Sequence, residues 1–243
     1  MTRHILITGG SRGIGRATAL LAAARGWRVS IGYHGNAEAA RAVAAQTGGP
    51  ALAGDVCDPG AVAAVFDAAE AAQGPLDAVV VNAGVVAPAM PLAEMSDDRL
   101  RRVIDTNLMG ALYCAREAAR RLPRPRDVEP GALVLLSSIA ASLGAPNEYV
   151  DYAAAKGAVD TLTRGLAKEL AAGNVRVNAV RPGLIDTEIH ASGGRPDRAQ
   201  ALAPLVPMGR PGRAEEVAEA VLWLCGPGAS YTSGAVLDVG GGR

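Results

Sequence analysis

The sequence has few aromatic residues and no excess of charge of either sign. Aromatic side chains make up 3% of its 243 residues, and 24 basic residues balance 24 acidic ones. Proteins that bind nucleic acid usually carry a basic excess, and those that bind single strands add exposed aromatic rings for base stacking. We therefore expect no nucleic-acid partner.

Long hydrophobic runs and metal-binding patterns are also missing. The longest apolar runs, such as Ala78–Val81 and Ala132–Leu136, have the length of a strand, whereas a membrane span needs about 20 apolar residues. The three cysteines and three histidines are scattered without the spacing of a zinc site. The first residues lead into a strand-like segment without a signal-peptide pattern. We expect a cytoplasmic protein with no membrane contact and no protein-ligated metal.

Short apolar segments alternate with helical patterns along the whole chain, which predicts one α/β domain over residues 1–243. Strands that are apolar throughout suit a parallel sheet covered on both faces. We therefore expect a Rossmann-type, doubly wound, seven-stranded and mostly parallel sheet with helices on both faces. The predicted strands are Ile5–Thr8, Arg28–Tyr33, Ala51–Gly54, Ala78–Val81, Ala132–Ser137, Arg176–Val180 and Ala235–Val239. The predicted helices are Gly15–Ala24, Ala37–Ala45, Pro59–Ala72, Asp97–Leu122, Asp151–Ala171 and Ala214–Leu224.

One irregular segment, residues 188–213, is rich in Gly, Pro and Arg. Its late position in the chain suggests a lid over a substrate. We expect a mostly apolar wall from its side chains His190, Leu202, Leu205, Val206 and Met208.

A glycine-rich turn follows the first predicted strand and leads into the first predicted helix. It reads Thr8-Gly9-Gly10-Ser11-Arg12-Gly13-Ile14-Gly15. The N-terminus of a helix presents free N–H groups, and glycines allow a pyrophosphate to approach the backbone. A turn without a ligand is the alternative, but its place between a strand and a helix favours a dinucleotide site.

Tyr152 and Lys156 are four residues apart near the start of a predicted helix, so they lie on one helical face. A fixed positive charge near a phenol lowers its pKa and makes it a better proton donor and acceptor at neutral pH. A surface pair is the alternative interpretation. Only two of the 24 basic residues are lysine, so a lysine at this position indicates that a compact ammonium is required.

Ser138 follows the fifth predicted strand, at the sheet edge where ligands bind in open α/β folds. Its hydroxyl is a candidate to hydrogen-bond a substrate oxygen. Ser137 should face the opposite way and cap the turn. Tyr149 has Ala153 four residues later and thus no ammonium partner, so we expect it to line the pocket.

Together these segments resemble the short-chain dehydrogenase/reductase family over the full length of the chain. The T-G-x-x-x-G-x-G spacing of the glycine loop is the form found in that family. Further matching segments are Asp55-Val56, Asn82-Ala83-Gly84, Asp105-Thr106-Asn107, Pro182-Gly183-Leu184-Ile185-Asp186-Thr187 and the C-terminal Ser233-Gly234 with Gly241-Gly242.

The resemblance implies a mechanism and a set of site residues. A hydride passes between nicotinamide and a carbonyl or carbinol carbon while Tyr152 transfers the proton. Lys156 lowers the pKa of Tyr152 and bonds the nicotinamide ribose, Ser138 holds the substrate oxygen, and Asn107 completes a proton relay. The residues expected at the cofactor are Gly9, Ser11, Arg12, Gly13, Ile14, Gly15, Tyr33, His34, Asp55, Val56, Asn82, Ala83, Gly84, Tyr152, Lys156, Pro182, Gly183, Ile185 and Thr187.

The second predicted strand ends at Tyr33-His34 without a carboxylate. NAD-specific proteins place Asp or Glu about 20 residues beyond the glycine loop to bond the ribose 2′-OH. The absence of an acidic side chain here leaves room for the 2′-phosphate of NADP, to which Arg12 can donate a charge-assisted hydrogen bond. His34 is either a second donor or a solvated turn residue. The sequence predicts NADP as the preferred cofactor over NAD.

The substrate is less well defined by the sequence. The chain resembles bacterial 3-oxoacyl-carrier-protein reductases and glucose-dehydrogenase-like members, and we expect a small or medium carbonyl or secondary alcohol. The arginines at 120, 121, 124 and 126 are either a docking surface for a carrier protein or solvated charge. A cofactor-binding regulatory protein without turnover is the alternative function. The resemblance also implies a homotetramer.

Overall fold

Seven parallel strands form the central sheet of the computed structural model, which describes residues 2–243. They are β1 His4–Thr8, β2 Arg28–Tyr33, β3 Ala51–Ala53, β4 Ala78–Val81, β5 Gly131–Leu136, β6 Val175–Pro182 and β9 Val236–Val239. Two short strands, β7 Ile185–Asp186 and β8 Gly212–Arg213, pair with each other outside this sheet. The order β3-β2-β1-β4-β5-β6-β9 confirms the predicted doubly wound fold, and the predicted strand ends are correct to within two residues.

Helices connect the strands and cover the sheet. They are α1 Gly13–Ala24, α2 Ala37–Thr47, α3 Pro59–Gln73, α4 Asp97–Ile104, α5 Gly110–Arg121, α6 Ala140–Leu143, α7 Val150–Leu170, α8 Ile189–Ser192, α9 Arg198–Ala201 and α10 Ala214–Cys225.

Alternate residues of each strand serve two separate hydrophobic cores. On β1, Ile5 and Ile7 pack with α1, α2 and α10 on one face of the sheet, whereas Leu6 packs with α3, α5 and α7 on the other. Successive side chains of a strand point to opposite faces, so a strand buried on both sides has to be apolar at every position. This explains the continuous apolar segments of the sequence.

The strand order reverses between β1 and β4, and the turns after these two strands meet there. Asn82, directly after β4, donates hydrogen bonds from Nδ2 to the carbonyl oxygens of Thr8 and Gly9, each over 3.0 Å. Its main-chain N–H donates to Thr8 Oγ1 over 3.0 Å. Ligands of open α/β sheets bind at such a reversal point.

The predicted helix Asp97–Leu122 is helical without a break from Asp97 to Arg121, but it contains an irregularity that the sequence did not predict. A π-helical turn at Asp105–Met109 separates α4 from α5. Asn107 lies in this wide turn and donates from Nδ2 to the carbonyl oxygens of Val85 and Val103, each over 2.9 Å. Single π turns inside helices are frequent at functional sites.

The irregular segment 188–213 contains the short helices α8 and α9, a 3₁₀ turn at Ala203–Leu205 and strand β8. A small hydrophobic cluster of its own, Leu184, Ala199, Leu202 and Val206, holds it together. It packs beside the carboxyl ends of the central strands, next to the cavities described below.

Candidate active site

The larger of two adjoining cavities lies over the carboxyl ends of β1, β2 and β4 and has a volume of about 670 Å³. The glycine loop forms its floor. Of the residues predicted to bind the cofactor, those that line it are Gly9, Ser11, Arg12, Gly13, Ile14, Tyr33, His34, Asp55, Val56, Asn82, Ala83, Gly84 and Thr187.

Gly15 in the glycine loop packs so closely against Gly9 and Asn82 that no residue with a side chain would fit in its place. A Cβ atom added at Gly15 would lie 2.3 Å from the carbonyl oxygen of Gly9 and 2.5 Å from Asn82 Nδ2. Gly15 therefore does not line the cavity, unlike its predicted role, but holds the loop against the start of α1. That helix has no side-chain cap at Arg12, so its first N–H groups are free to bind an anion. The loop thus fits a pyrophosphate.

At the far end of this cavity the side chains of Arg12, Tyr33 and His34 surround the end of β2. Arg12 is exposed and makes no ion pair with any residue from 2 to 243. His34 Nδ1 lies 3.7 Å from Asp55 Oδ2. A carboxylate is therefore present near β2 after all, but it is contributed by the loop after β3.

The smaller cavity, of about 310 Å³, lies between β5, α7 and the segment 188–213. It is lined by Ser138, Tyr152 and Lys156, and also by Pro182, Gly183 and Ile185 from the predicted cofactor set. Ile14, Asn82, Gly84 and Thr187 line both cavities. A molecule in the larger cavity would therefore meet one in the smaller cavity at this boundary.

Tyr152 and Ser138 face the smaller cavity together. Burial raises the pKa of the Tyr152 phenol, and a hydrogen bond with the Ser138 hydroxyl lowers it to a smaller extent. The phenol is therefore protonated at neutral pH in the protein without ligands. Ser138 Oγ also accepts from the N–H of Ala140 over 3.1 Å, whereas Ser137 turns to α7 and donates to the Lys156 carbonyl oxygen over 3.1 Å.

Lys156 is almost completely buried, with 4% of its surface exposed. Its Nζ donates to the carbonyl oxygen of Leu136 over 2.6 Å and lies 5.6 Å from the centre of the Tyr152 ring. Burial lowers the pKa of this ammonium to about 8, although the carboxylate of Asp160 acts in the opposite direction. The expected lowering of the Tyr152 pKa by Lys156 is not seen: burial raises this pKa, and it is the Ser138 hydroxyl, not the ammonium, that acts in the opposite direction.

Asn107 lies behind the cavities and lines neither of them. Its Oδ1 accepts from the N–H of Val85 over 3.1 Å, and both N–H groups of its amide are engaged with Val85 and Val103. A Cβ atom added at Gly84 would lie 2.8 Å from Asn107 Oδ1 and 3.7 Å from Lys156 Nζ. A glycine at position 84 is thus needed for Asn107 to reach the β4 turn beside Lys156.

The expected apolar wall of the segment 188–213 is largely wrong. Leu205 and Met208 are 63% and 70% exposed, and Leu202 and Val206 pack into the segment's own small cluster. Of the predicted set, only His190 lines the smaller cavity, where Ile189 and Arg198 join it. The helical turns of α8 and α9 decide which side chains point inward, and the sequence pattern did not predict these turns.

Two ion pairs beside the catalytic candidates were not predicted. Arg99 on α4 donates from Nε to Asp151 Oδ2 over 3.0 Å, with 9% and 2% of the two side chains exposed. Arg198 on α9 donates from both Nη atoms to the carboxylate of Glu148, over 2.9 and 2.6 Å. No local pattern could have indicated them, since the partners are 52 and 50 residues apart.

The basic run of Arg120, Arg121, Arg124 and Arg126, which begins in the last turn of α5, is mostly neutralised. Arg120 pairs with Glu117, Arg121 with Asp67 and Glu117, and Arg124 with Asp77. The structure therefore gives less support to a docking surface than the sequence suggested.

Across residues 2–243 no group of three or more His, Cys, Asp or Glu side chains is arranged to hold a metal ion. No helix in this part of the chain is both long and apolar enough to cross a membrane.

Comparison with known proteins identifies the family. A family model described as enoyl-(acyl carrier protein) reductase matches residues 9–243. The chain is 48% identical over 243 residues to the uncharacterized oxidoreductase YgfF of Escherichia coli K12, with 98% of both chains covered. The chain belongs to the short-chain dehydrogenase/reductase family. Family membership and the oxidoreductase class predicted from the motifs are thereby confirmed.

Two further relatives of this short-chain dehydrogenase/reductase have more specific names. It is 42% identical to cis-4-hydroxycyclohexanecarboxylate dehydrogenase of Sinomonas cyclohexanicum, over 99% of this chain and 96% of the relative. The crystal structure of 3-ketoacyl-(acyl-carrier-protein) reductase from Brucella melitensis, complexed with NADH, matches with a TM-score of 0.91 at 30% identity. That match covers 99% of this chain and 98% of the other.

Proposed function

We propose that this chain is an NADP(H)-preferring oxidoreductase that transfers a hydride between nicotinamide and a ketone or secondary alcohol. The observation that carries this proposal is that Ser138, Tyr152 and Lys156 line a cavity adjoining the one over the glycine loop. The relatives named as a hydroxycyclohexanecarboxylate dehydrogenase and as a ketoacyl reductase bound to NADH support the same chemistry here.

The residues of the larger cavity are suited to a dinucleotide. The free N–H groups at the start of α1 would bind the pyrophosphate, because the glycine loop leaves no side chain in the way. The turn after β3, with Asp55 and Val56, would contact the adenosine half. Asn82, Gly84 and Thr187 lie at the boundary between the cavities, where the nicotinamide would be held. When bound, the cofactor supplies or accepts the hydride.

The proton transfer is assigned to Tyr152. In reduction, its O–H donates a proton to the carbonyl oxygen while the carbonyl carbon receives the hydride, and Ser138 donates a hydrogen bond to the same oxygen. The raised pKa of the phenol keeps it in the protonated form that a general acid requires. Lys156 would stabilise the phenolate left behind. Both N–H groups of the Asn107 amide are occupied. A water of the relay would therefore donate a hydrogen bond to an oxygen atom of Asn107.

The preference for NADP rests on Arg12. Its exposed guanidinium lines the end of the larger cavity and has no ion-pair partner among residues 2–243, so it is available for a 2′-phosphate. His34 is less available because Asp55 lies beside it. The preference for NADP should therefore depend on Arg12 more than on His34.

Replacement of Tyr152 by Phe tests the catalytic assignment. Tyr152→Phe keeps the ring and removes the proton donor, so we expect kcat on a ketone to fall by about 10²–10⁴-fold or more while NADPH still binds. Tyr231→Phe is the matched control, since that side chain is fully exposed and lines neither cavity. Near-normal kcat in Tyr152→Phe would remove this residue from the mechanism. A wild-type protein that binds cofactor but reduces no ketone would favour the regulatory alternative.

The cofactor preference is tested with kcat/KM for NADPH and NADH on one ketone. We expect the wild type to have the higher kcat/KM with NADPH. In Arg12→Gln, the ratio of kcat/KM with NADPH to kcat/KM with NADH should fall about tenfold, which corresponds to about 1.4 kcal/mol. Arg16→Gln, a neighbouring exposed arginine that does not line the cavity, is the control. A wild-type preference for NADH would overturn the assignment.

Three further expectations belong to the same proposal. The segment 188–213 would act as a substrate lid within a single domain, an idea supported by the Arg198–Glu148 pair that ties it to the start of α7. The chain would assemble as a homotetramer through α4, α5 and α7, which light scattering tests. It would work in the cytoplasm on small molecules, without a nucleic-acid or membrane partner.

A further inference from the structure

The smaller cavity has both apolar and charged lining. Val86, Ile139 and Leu143 contribute apolar surface beside Tyr152. The charged residues Glu148, Arg198 and Arg243 line this cavity but not the larger one over the glycine loop, and the part that they line is called its outer end. A substrate with its carbonyl at Tyr152 would extend along the apolar part toward these charges.

The two guanidinium groups at this end are not equivalent. Arg198 is bound by the Glu148 carboxylate through two hydrogen bonds, and its guanidinium stacks on the Tyr149 ring at 5.0 Å. Its charge is therefore neutralised and its position fixed. Arg243 has no carboxylate within ion-pair distance among residues 2–243. The pKa of the Glu148 carboxyl is lowered mainly by its hydrogen bonds with Arg198, and the charges of Arg195 and Arg243 add smaller effects in the same direction.

Of the two arginines that line the outer end of the cavity, Arg243 is thus the one without an Asp or Glu partner. A partly buried guanidinium gains most when a carboxylate accepts its paired N–H groups. Glu148 is not that acceptor in the structure, because its two oxygens accept from Arg198 and it makes no ion pair with Arg243. A bound ligand can supply the carboxylate that no Asp or Glu side chain of residues 2–243 offers to Arg243.

We propose that the substrate carries a carboxylate at the end opposite its reacting carbonyl or alcohol, and that Arg243 binds this carboxylate at the outer end of the smaller cavity. The inference rests on the proposed function for the position of the reacting group. It adds a class of substrate, keto acids and hydroxy acids with apolar carbon between the two groups. The ion pair of Arg198 and Glu148 shapes the site and keeps the carboxylate away from Arg198.

The test separates binding from turnover. Ligand-observed NMR titrations would compare hexanoate with its neutral counterpart hexanamide, using the protein saturated with NADP⁺. We expect the wild type to bind the acid at least about tenfold more tightly, since a guanidinium bonds a carboxylate through charge-assisted hydrogen bonds and a neutral amide through weaker ones. In Arg243→Gln this ratio should fall to about one. Arg41→Gln, an exposed arginine on α2 that lines neither cavity, should keep the wild-type ratio.

Equal affinity for acid and amide in the wild type, or an unchanged ratio in Arg243→Gln, would overturn the inference. A kinetic comparison of 5-oxohexanoate with 2-hexanone tells the two proposals apart. Reduction of both ketones without preference for the acid would refute the inference and leave the proposed function standing. Selective binding of hexanoate without reduction of either ketone would refute the proposed function and leave the carboxylate site standing.

Discussion

The buried pair of Arg99 and Asp151 gives the sharpest test of how α7, which carries Tyr152 and Lys156, is held in place. Asp151 precedes Tyr152 in the first turn of α7, and Oδ1 accepts from the Tyr152 N–H over 2.9 Å. Arg99 reaches across from α4 and also donates to the main-chain carbonyl oxygens of Pro88 and Glu148. One guanidinium therefore fixes the start of α7 and two neighbouring loops.

Replacing Arg99 by Leu would leave the Asp151 carboxylate unpaired at a position where 2% of its side chain is exposed. Removing one partner of a buried ion pair costs about 3–5 kcal/mol. For a protein of this size, 1 kcal/mol corresponds to roughly 2–4 °C in Tm, so Tm should fall by roughly 6–20 °C. The free energy of unfolding would be measured by urea denaturation followed by circular dichroism.

The double variant Arg99→Leu/Asp151→Asn checks the cause. It should be more stable than Arg99→Leu alone, because no unpaired charge remains in the interior. Arg25→Leu is the matched control, since Arg25 pairs with Glu219 at the surface, where 43% and 56% of the side chains are exposed. That change should cost less than about 1 kcal/mol. If Arg99→Leu costs no more than Arg25→Leu, burial does not govern this pair and the reasoning is refuted.

Three further predictions concern the glycine loop and Lys156. Gly15→Ala should weaken cofactor binding at least tenfold in fluorescence titrations, since its Cβ would collide with the Gly9 carbonyl. Gly165→Ala, with open space around the added atom, should leave binding unchanged. Lys156→Arg should lose most kcat/KM in steady-state assays despite keeping the charge, because guanidinium is larger and planar. An unfolded lysine titrates near ~10.4, against about 8 in the fold. The folded state therefore binds fewer protons between these pH values, and the free energy of unfolding should rise with pH from about 8 to 10. Urea titrations should find this rise smaller in Lys156→Met, and equal slopes would contradict the buried ammonium.

Features set by neighbouring residues could be predicted from the sequence. The apolar segments indicated strands buried on both faces, and the glycine turn between a strand and a helix indicated an anion site. The four-residue spacing of Tyr152 and Lys156 put both on one face of α7, where they line the same cavity. Each of these depends on periodicity or turn geometry within a few residues.

The rest depends on how distant elements cross. The amide of Asn107 in the π-helical turn bonds Val85 in the loop after β4, 22 residues away in the sequence. The pairs of Arg99 with Asp151 and of Arg198 with Glu148 each join residues about 50 apart. Their formation follows from where the fold places Arg99 and Arg198 relative to the start of α7. By itself, the sequence determined the fold, the family and the residues of the proposed chemistry. Only the tertiary structure decided which charges face the smaller cavity, because a charged side chain finds its partner in space and leaves no periodic pattern along the chain.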